Sequence, residues 1–327
     1  MHGRGDDRLS LGRATVPELR RPRALRPGAT LAIVSPASAA KRDLVERGIA
    51  HLQELGYGTR LGVHALDSGP LYYAGSARDR AEDLLAAFAD PAIDGILCTR
   101  GGWGAAELLP LLDVELIRAS PKVFVGYSDI TSLQTWLLES AGLVTFHGPM
   151  VAADFARAGG VDPGRWQQGL QASAPWTLGA QDGLRTLRPG VAEGPLRGGC
   201  LSILAESLGT PYGPRSFRGV LFVEDIGTKA YQWDRMLLHL RYAGMLEGVT
   251  GVVFGDMGQN VAPEQMEFLE AALLHGLRDF AGPVAIGLRS GHVDGANVTI
   301  PLGVDVRLDC GDVLDPRLHF LDGAVTL

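Results

Sequence analysis

Cysteine and lysine are scarce in this chain. Its 327 residues include only three cysteines, Cys98, Cys200 and Cys310, which lie far apart in sequence. An odd, widely spaced set is typical of reduced thiols in a cytoplasmic protein and does not fit a disulfide framework. Lysine occurs only at positions 41, 122 and 229, and the formal net charge is -7. We therefore expect no nucleic-acid partner, because such a protein would show a basic patch or stripe.

Long hydrophobic runs and metal-binding motifs are missing as well. No apolar run approaches the roughly 18 residues that a membrane-spanning helix needs, so no membrane partner is expected. The Arg-rich segment 1–27 has no apolar region of the signal-peptide type, and we predict a weakly ordered tail there. CxxC, HExxH, EF-hand, GxxxxGK[ST] and GxGxxG patterns do not occur, which predicts no metal site and no cofactor.

The first half of the chain alternates strand-like and helix-like segments. Apolar runs that predict strands lie at 29–38, 57–64, 93–102, 122–127 and 143–150. Helical spacing of apolar residues occupies 41–56, 78–90 and 105–113. This alternation predicts βαβ units and a parallel sheet, in which ligands bind at the carboxyl ends of the strands.

The second half is richer in strand-like runs. They lie at 219–226, 251–256, 283–288 and 297–309, and helical patterns occupy 230–246 and 263–280. These runs predict a separate α/β domain with antiparallel or barrel-like character. Between about 151 and 190, Gly, Pro and Ala are frequent and the periodicity is lost, which is typical of a linker.

The stretch "KVFVGYSDITSLQTWL" places Ser128 and Asp129 where an apolar strand turns into a helix. Serine and aspartate are good helix N-caps, so capping is one interpretation. The other is a nucleophile on a tight strand-to-helix turn. A nucleophilic serine needs a base, usually histidine, and a carboxylate that orients the base.

Two histidines lie outside helix patterns and in a suitable setting, His147 in "FHGPM" and His292 in "RSGHVDGANVTIPLG". The Gly-rich loop around His292 suits a catalytic base, although a structural histidine is an open alternative. Glu224 and Asp225 end a very apolar strand, where a buried carboxylate needs a partner. Their alternative role is to cap the helix that follows.

Glycines in "TRGGWG" form the other candidate element. Gly101 and Gly102 would let backbone N–H groups approach an oxyanion closely, and phosphate binding is the rival interpretation. Cys98, just before this loop, lies inside an apolar strand and is predicted to be a buried structural thiol.

Taken together, these segments resemble the serine peptidase family that contains the bacterial LD-carboxypeptidases and the microcin C immunity proteins. The matching blocks occur in the family's order from about residue 25 to residue 309, and they read "LRPGATLAIVSPAS", "TRGGWGAAELLPLLD", "KVFVGYSDITSLQTWL", "TFHGPM", "GPLRGGCLSILAESLGTP", "LFVEDIGTKAYQWDRMLLHLRYAGML", "GVVFGD" and "SGHVDGANVTIPLG". The resemblance implies a catalytic triad of Ser128, Glu224 and His292. The backbone N–H groups of Asp129 and of Gly101 or Gly102 would then form the oxyanion hole.

The chain departs from the family pattern at a few positions. Cys200 stands where the family usually has Asn, which puts any contact of that Asn side chain in doubt. Trp103 replaces a usual Tyr, and Ala29 replaces a common acidic residue. Ile130 stands where a GxSxG elbow needs Gly, which disfavours an α/β-hydrolase fold.

The fold that we predict has two α/β domains. Residues 1–27 form the tail, 28–155 a flavodoxin-like parallel-sheet domain with the nucleophile, 156–190 the linker and 191–327 the smaller, strand-rich domain with Glu224 and His292. The resemblance implies a cytoplasmic enzyme, often a homodimer in the family.

The predicted activity is hydrolysis of the bond to a terminal D-amino acid, D-Ala, in murein tetrapeptides during cell-wall recycling. Arg100 and Trp103 are candidates for binding this small peptide substrate. Two alternatives stay open: an immunity-type hydrolase of peptidyl-nucleotide antibiotics, and a non-catalytic small-molecule binding module. The 96 residues between Ser128 and Glu224 (224 − 128) and the loop "RGGWG" favour the carboxypeptidase branch.

Overall fold

A computed structural model describes residues 18–327 of the chain. Its first sheet has five parallel strands in the order β2-β1-β3-β4-β5, and a sixth, β12, runs antiparallel at the edge beside β5. Their bounds are β1 Thr30–Val34, β2 Gly58–Leu61, β3 Gly95–Cys98, β4 Val123–Gly126, β5 Thr145–His147 and β12 Ile300–Leu302. The strand order 2-1-3-4-5 is that of a flavodoxin-like sheet, which confirms the predicted fold of this half.

Helices connect these parallel strands. The α-helices are α1 Arg42–Glu54, α2 Ala77–Ala89, α3 Val114–Ala119 and α4 Thr131–Trp136; 3₁₀ turns span Ala105–Leu111 and Ser128–Ile130, and a π-helical turn spans Leu137–Ala141. Ser76 and Asp79 begin α2 with a reciprocal capping box. Leu84 and Phe88 lie on one face of α2, four residues apart, and both are fully buried.

The second sheet has eight strands in the order β6-β14-β13-β8-β9-β10-β11-β7. Their bounds are β6 Trp176–Leu178, β7 Arg185–Arg188, β8 Val191–Cys200, β9 Gly219–Glu224, β10 Val249–Gly255, β11 Val284–Leu288, β13 Asp305–Asp309 and β14 Arg317–Phe320. The central strands β8 to β11 are parallel, and the outer ones are antiparallel. The prediction that the second half is strand-rich is confirmed. Its sheet ends in two edge strands, β6 and β7.

The helices of this half are α5 Pro163–Gln171, α6 Leu201–Ser207, α7 Ala230–Tyr242 and α8 Met266–Gly276, with 3₁₀ turns at Ala180–Asp182 and Pro263–Gln265. Leu221 and Val223 of β9 pack with Trp233 and Leu237 of α7 in one hydrophobic cluster. Every residue of β9 is buried, as expected for a central parallel strand, and Glu224 is its last residue.

The segment 297–309 differs from its prediction as a continuous strand-like run. Its first part is β12, which pairs with β5 of the first sheet, and its second part is β13, which pairs with β8 of the second. The chain changes sheets at Gly303, which has φ 101° and whose N–H donates to the Leu196 carbonyl. Glycine tolerates this backbone conformation without a steric penalty.

Two further predictions need correction. The predicted linker, 156–190, holds α5 and the two edge strands β6 and β7, whose short, partly exposed segments carry little periodicity. Residues 1–17 of the predicted tail lie outside the described residues. The remaining ten residues of that tail pack on the fold. Leu25 is fully buried, and the backbones of Arg20 and Arg23 form isolated β-bridges with Leu143 and Thr326. The domain boundaries themselves stay a prediction.

Candidate active site

Ser128 lies on a tight turn between β4 and the next helical segment. Its φ is 65°, a left-handed conformation that is uncommon for a non-glycine residue. The turn is closed so tightly that a Cβ atom on Gly126 would lie 2.8 Å from Ile130 Cγ2. Ser128 is the first residue of its 3₁₀ turn, and the residue at the N-cap is Tyr127, which makes no side-chain cap. The capping interpretation of Ser128 therefore finds no support.

Asp129 does cap a helical segment, but a distant one. Its Oδ2 accepts the backbone N–H of Ala105 at 2.8 Å, where the 3₁₀ turn after the Gly-rich loop begins. The side chain is fully buried, and burial raises the pKa of Asp129 to about 6. This contact ties the turn that carries Ser128 to the loop that contains Gly101 and Gly102.

Glu224 and His292 are in direct contact. Glu224 Oε2 accepts the ring Nδ1–H of His292 at 2.7 Å and the backbone N–H of the same residue at 2.9 Å. Burial alone would raise the pKa of Glu224, but the nearby imidazoles of His292 and His147 hold it well below its usual range. Burial alone would lower the pKa of His292, and the Glu224 charge and hydrogen bond raise it above the ordinary value instead.

Asp225 points away from His292. Its Oδ2 accepts the backbone N–H of Ser202 at 2.8 Å, in the first turn of α6, and its Oδ1 accepts the N–H of Ile226 at 2.9 Å. Successive side chains of a strand leave on opposite faces, so one acid of the pair faces the ring and the other caps a helix. The resemblance names Glu224 as the acid of the triad, and of the two acids it is Glu224 that contacts the His292 ring.

The loop that carries His292 is held by residues that sequence reasoning did not assign to the site. The Asn297 side chain accepts the Gly291 N–H at 3.1 Å and donates to the Gly291 carbonyl at 2.9 Å. It also donates to Asp154, a buried carboxyl group, at 3.2 Å. Gly291 has φ 99°, and a Cβ there would lie 2.5 Å from Glu224 Cδ, so glycine is required. In the sequence, the feature that indicated a functional loop here was its glycine content.

Ser128 and His292 come together through Tyr127. The Tyr127 ring packs edge-on against the His292 ring with centroids 5.0 Å apart, and Ser128 is the next residue in the chain. Within residues 18–327, the hydrogen bond of the His292 ring is the one to Glu224, and none joins it to Ser128 Oγ. The triad implied by the resemblance requires a hydrogen bond between Ser128 Oγ and the His292 ring, and this contact stays a prediction. Catalytic hydrogen bonds often tighten only when substrate is bound.

The Gly-rich loop lies against the serine. A Cβ on Gly101 would lie 2.7 Å from Ser128 Cβ, 2.9 Å from Ser128 Oγ and 3.2 Å from the Asp129 nitrogen. Gly102 has φ 109°, and the next residue, Trp103, donates its backbone N–H to Ser38 Oγ at 3.1 Å. Gly101 thus places the loop backbone directly against Ser128, where a side chain would not fit.

Arg100 and Trp103 flank the two glycines of this loop in sequence. Arg100 is exposed, and Trp103 is 40% exposed and lines a cavity of about 190 Å³. The cavity is bounded by residues of both halves of the chain, among them Leu109, Ser132, Ile203, Leu204 and Tyr212. A mostly apolar cavity between two domains is a common form of ligand site.

Cys200 and Cys98 are both buried thiols. Cys200, the last residue of β8, donates its backbone N–H to Thr131 Oγ1 at 3.0 Å, and its Sγ lies 3.4 Å from Ser202 Oγ. Burial raises the pKa of both thiols, so neither is a reactive thiolate at neutral pH.

The described helices include none that is long and apolar enough to cross a bilayer.

Comparison with protein families gives matches over both halves of the chain. Residues 31–148 match the LD-carboxypeptidase N-terminal domain, and residues 193–308 match the LD-carboxypeptidase C-terminal domain. A putative carboxypeptidase of Streptomyces coelicolor is 41% identical over 300 residues, covering 89% of this chain and 94% of that protein. A probable murein peptide carboxypeptidase of Bacillus subtilis is 35% identical, covering 89% and 92%.

Solved structures give the same fold. A muramoyltetrapeptide carboxypeptidase from Oxalobacter formigenes superposes with a TM-score of 0.80 at 29% identity and covers 91% of this chain and 100% of its own. The microcin C7 self immunity protein MccF superposes with a TM-score of 0.84 at 23% identity and covers 94% and 100%. At 23% identity, the similarity to MccF is evidence for the fold alone.

Proposed function

Because the chain belongs to the LD-carboxypeptidase family of serine peptidases, we propose that Ser128, Glu224 and His292 form its catalytic triad. The observation that carries the proposal is the contact of the buried Glu224 with His292, whose ring lies beside the turn that bears Ser128. A carboxylate bound to Nδ1 fixes the tautomer that leaves Nε2 free to accept a proton. The triad unites a nucleophile from the first sheet with an acid and a base from the second.

The mechanism follows from these positions. His292 Nε2 takes the hydroxyl proton as Ser128 Oγ attacks the scissile carbonyl, and Glu224 stabilises the imidazolium that forms. His292 then gives that proton to the leaving amine, which departs as the terminal amino acid. Water, deprotonated by the same ring, hydrolyses the acyl-enzyme and regenerates the serine.

The oxyanion would be bound by backbone donors around Ser128. The Asp129 N–H is at the beginning of a helical segment, where it has no intrahelical partner, and a Cβ on Gly101 would lie 3.2 Å from the Asp129 nitrogen. The second donor would be the amide of Gly101 or Gly102. Such preorganised donors stabilise the charge that develops in the transition state, and each is worth roughly 10²–10³ in kcat.

The substrate that this site fits best is a murein tetrapeptide from which D-Ala is released. The support is the family and the activities named for the Bacillus subtilis and Oxalobacter formigenes relatives. An exopeptidase must bind the terminal carboxylate, and the exposed Arg100 beside Gly102 is the candidate cation. Trp103 would border the peptide at the mouth of the adjacent cavity.

A place in cell-wall recycling, in the cytoplasm and as a homodimer, is part of the same proposal. A murein tetrapeptide carboxypeptidase of Pseudomonas aeruginosa is 35% identical over 64% of this chain, which supports the recycling role. The three buried, unpaired cysteines agree with a reducing compartment. Light scattering of the purified protein tests the dimer.

The test is incubation with a panel of muropeptides and a processed microcin, followed by mass spectrometry. Loss of one D-Ala from the tetrapeptide is the expected result. Cleavage of the microcin alone would assign the enzyme to the immunity-type hydrolases. A serine-directed fluorophosphonate should also label Ser128 stoichiometrically, and a lack of labelling would favour a binding module.

A further inference from the structure

His147 is a second histidine on the triad carboxylate. It ends β5, and its Cα pairs in register with that of Gly126, two residues before Ser128. The side chain is fully buried and packs edge-on against Phe222, with ring centroids 5.1 Å apart. It therefore belongs to the sheet of the nucleophile and reaches into the sheet of the acid.

The ring contacts the oxygen of Glu224 that His292 does not use. His147 Nε2 lies 3.5 Å from Glu224 Oε1, while both bonds from His292 go to Oε2. Oε1 and Nε2 are both buried, their 3.5 Å separation is longer than a well-formed hydrogen bond, and neither atom forms a hydrogen bond to another of the described residues. Because a carboxylate only accepts hydrogen bonds, Nε2 is the donor when this pair closes to hydrogen-bond distance.

Ser290 fixes the other side of the ring. Its Oγ lies 3.2 Å from His147 Nδ1, and the residue is fully buried two positions before His292. With the Nε2 proton directed at Glu224, Nδ1 is an acceptor for the Ser290 hydroxyl, which also lies 3.5 Å from the His147 carbonyl oxygen. A continuous chain of polar contacts thus runs from Ser290 through His147 and Glu224 to His292.

We propose that His147 is a positioning residue of the triad. It holds the Glu224 carboxylate in the rotamer that faces His292, and it locks the acid on β9 to the strand next to the nucleophile. The inference rests on the proposed function. His147 does not act as the base itself, since it is buried and its proton-bearing nitrogen faces the carboxylate.

Two substitutions separate positioning from packing. In His147→Gln, the side-chain amide nitrogen reaches the place of Nε2 and keeps a donor for Glu224, whereas His147→Met fills a similar volume without one. We expect His147→Met to lower kcat by about 10–100-fold, as loss of a residue that orients a catalytic ligand typically does, with KM changed less than about twofold. His147→Gln should recover most of kcat.

Thr145→Val is the matched control. Thr145 is fully buried two residues earlier on the same strand, and its hydroxyl has no partner among the described residues. This variant reports a general disturbance of β5, and its kcat should stay within about twofold of wild type. If Thr145→Val loses as much kcat as His147→Met, or if His147→Gln is as impaired as His147→Met, the inference is wrong.

A spectroscopic readout keeps the inference testable apart from the proposed function. The hydrogen-bonded Nδ1 proton of His292 should give a downfield proton NMR signal. The signal should shift or exchange faster in His147→Met and return in His147→Gln, whether or not the enzyme releases D-Ala. Failure of wild type to release D-Ala would remove the murein substrate only. An unchanged signal in His147→Met would overturn the role of His147.

Ser290→Ala serves if His147→Met does not fold. It removes the hydroxyl that holds Nδ1 and leaves the ring in place. We expect kcat to fall about tenfold with KM unchanged and the Nδ1 signal of His292 to broaden, by the same reasoning on supporting hydrogen bonds. Wild-type kcat and signal in Ser290→Ala would contradict the proposal.

Discussion

Glu224 holds His292 by two atoms at once, since the same carboxylate oxygen accepts the ring Nδ1–H at 2.7 Å and the backbone N–H at 2.9 Å. The first contact sets the tautomer and the plane of the ring. The second fixes the loop from which the ring projects. An acid with both contacts orients the base more firmly than one bound to the ring alone.

The first prediction concerns pH. The Glu224 charge raises the pKa of His292 above its ordinary value of about 6.5 despite burial. Only the neutral ring can take the Ser128 proton, so kcat/KM should fall as pH drops through a value above 6.5. Glu224→Gln, which removes the charge, should move this acid limb to lower pH. Measurement of kcat/KM against pH checks both statements, and a wild-type limb well below 6.5 would contradict them.

The second prediction separates chemistry from backbone strain at Ser128. Ser128→Ala and Ser128→Gly should both lower kcat by roughly 10⁶, as expected for a triad nucleophile. Ser128→Ala keeps a side chain at φ 65° and should melt close to wild type. Glycine has no penalty in this conformation, so Ser128→Gly should gain about 1 kcal/mol and melt roughly 2 °C higher.

The assay pairs D-Ala release with thermal unfolding. Near-normal turnover of Ser128→Ala with a lowered melting temperature would show a purely structural serine. Equal melting temperatures for the alanine and glycine variants would mean that the left-handed turn stores no strain.

The third prediction uses the neighbouring acids as a matched pair. Glu224→Gln should lower kcat by about 10³–10⁴, because an amide cannot stabilise the imidazolium and allows the wrong tautomer. Asp225→Asn should leave kcat within a few fold and cost about 1–2 kcal/mol of stability, since it weakens the cap on α6. Steady-state kinetics and denaturant unfolding measure the two effects. A larger loss of kcat in Asp225→Asn than in Glu224→Gln would reverse the assignment.

The fourth prediction concerns the Gly-rich loop. In Gly101→Ala, the new methyl group would lie within 3 Å of Ser128 Cβ and Oγ, so the loop must move away from the Asp129 amide. We expect kcat to fall at least 10²-fold, the typical cost of losing one oxyanion donor. Gly295→Ala is the control, because no atom lies within 4 Å of its added Cβ in the His292 loop. Equal kinetics for the two variants would place the oxyanion donors elsewhere.

The sequence predicted the first sheet well because its strands are short apolar runs separated by amphipathic helices. β8 was not predicted, because it lacks a continuous apolar run. It contains Gly194, Gly198 and Gly199, all with positive φ, which gives it no apolar alternation. A Cβ on Gly198 would lie 1.7 Å from the Phe222 carbonyl oxygen and one on Gly194 2.7 Å from Gly219 Cα, so these two glycines serve the close approach of β8 to β9. Gly199 allows a similar approach to Thr131.

The contact of Glu224 with His292 was predictable because the apolar strand, the adjacent acids and the loop histidine all carry local signals. The contact of Glu224 with His147 was not. His147 lies 77 residues before Glu224 (224 − 147) on a strand of the other sheet, and only the packing of the two sheets brings them within 3.5 Å. For the same reason, the role of Asn297 in holding the loop could not be inferred from spacing.

The strand exchange at Gly303 has a consequence for synthesis on the ribosome. β5 is complete at His147, but β12, which covers its open edge, begins at Ile300, 153 residues later (300 − 147). At about 5–20 residues per second, the nascent chain exposes this edge for roughly 8–30 s. During that interval β5 presents unpaired backbone groups and the apolar Phe146 to other chains, and an unpaired strand edge of this kind is a site for chaperone binding and for self-association.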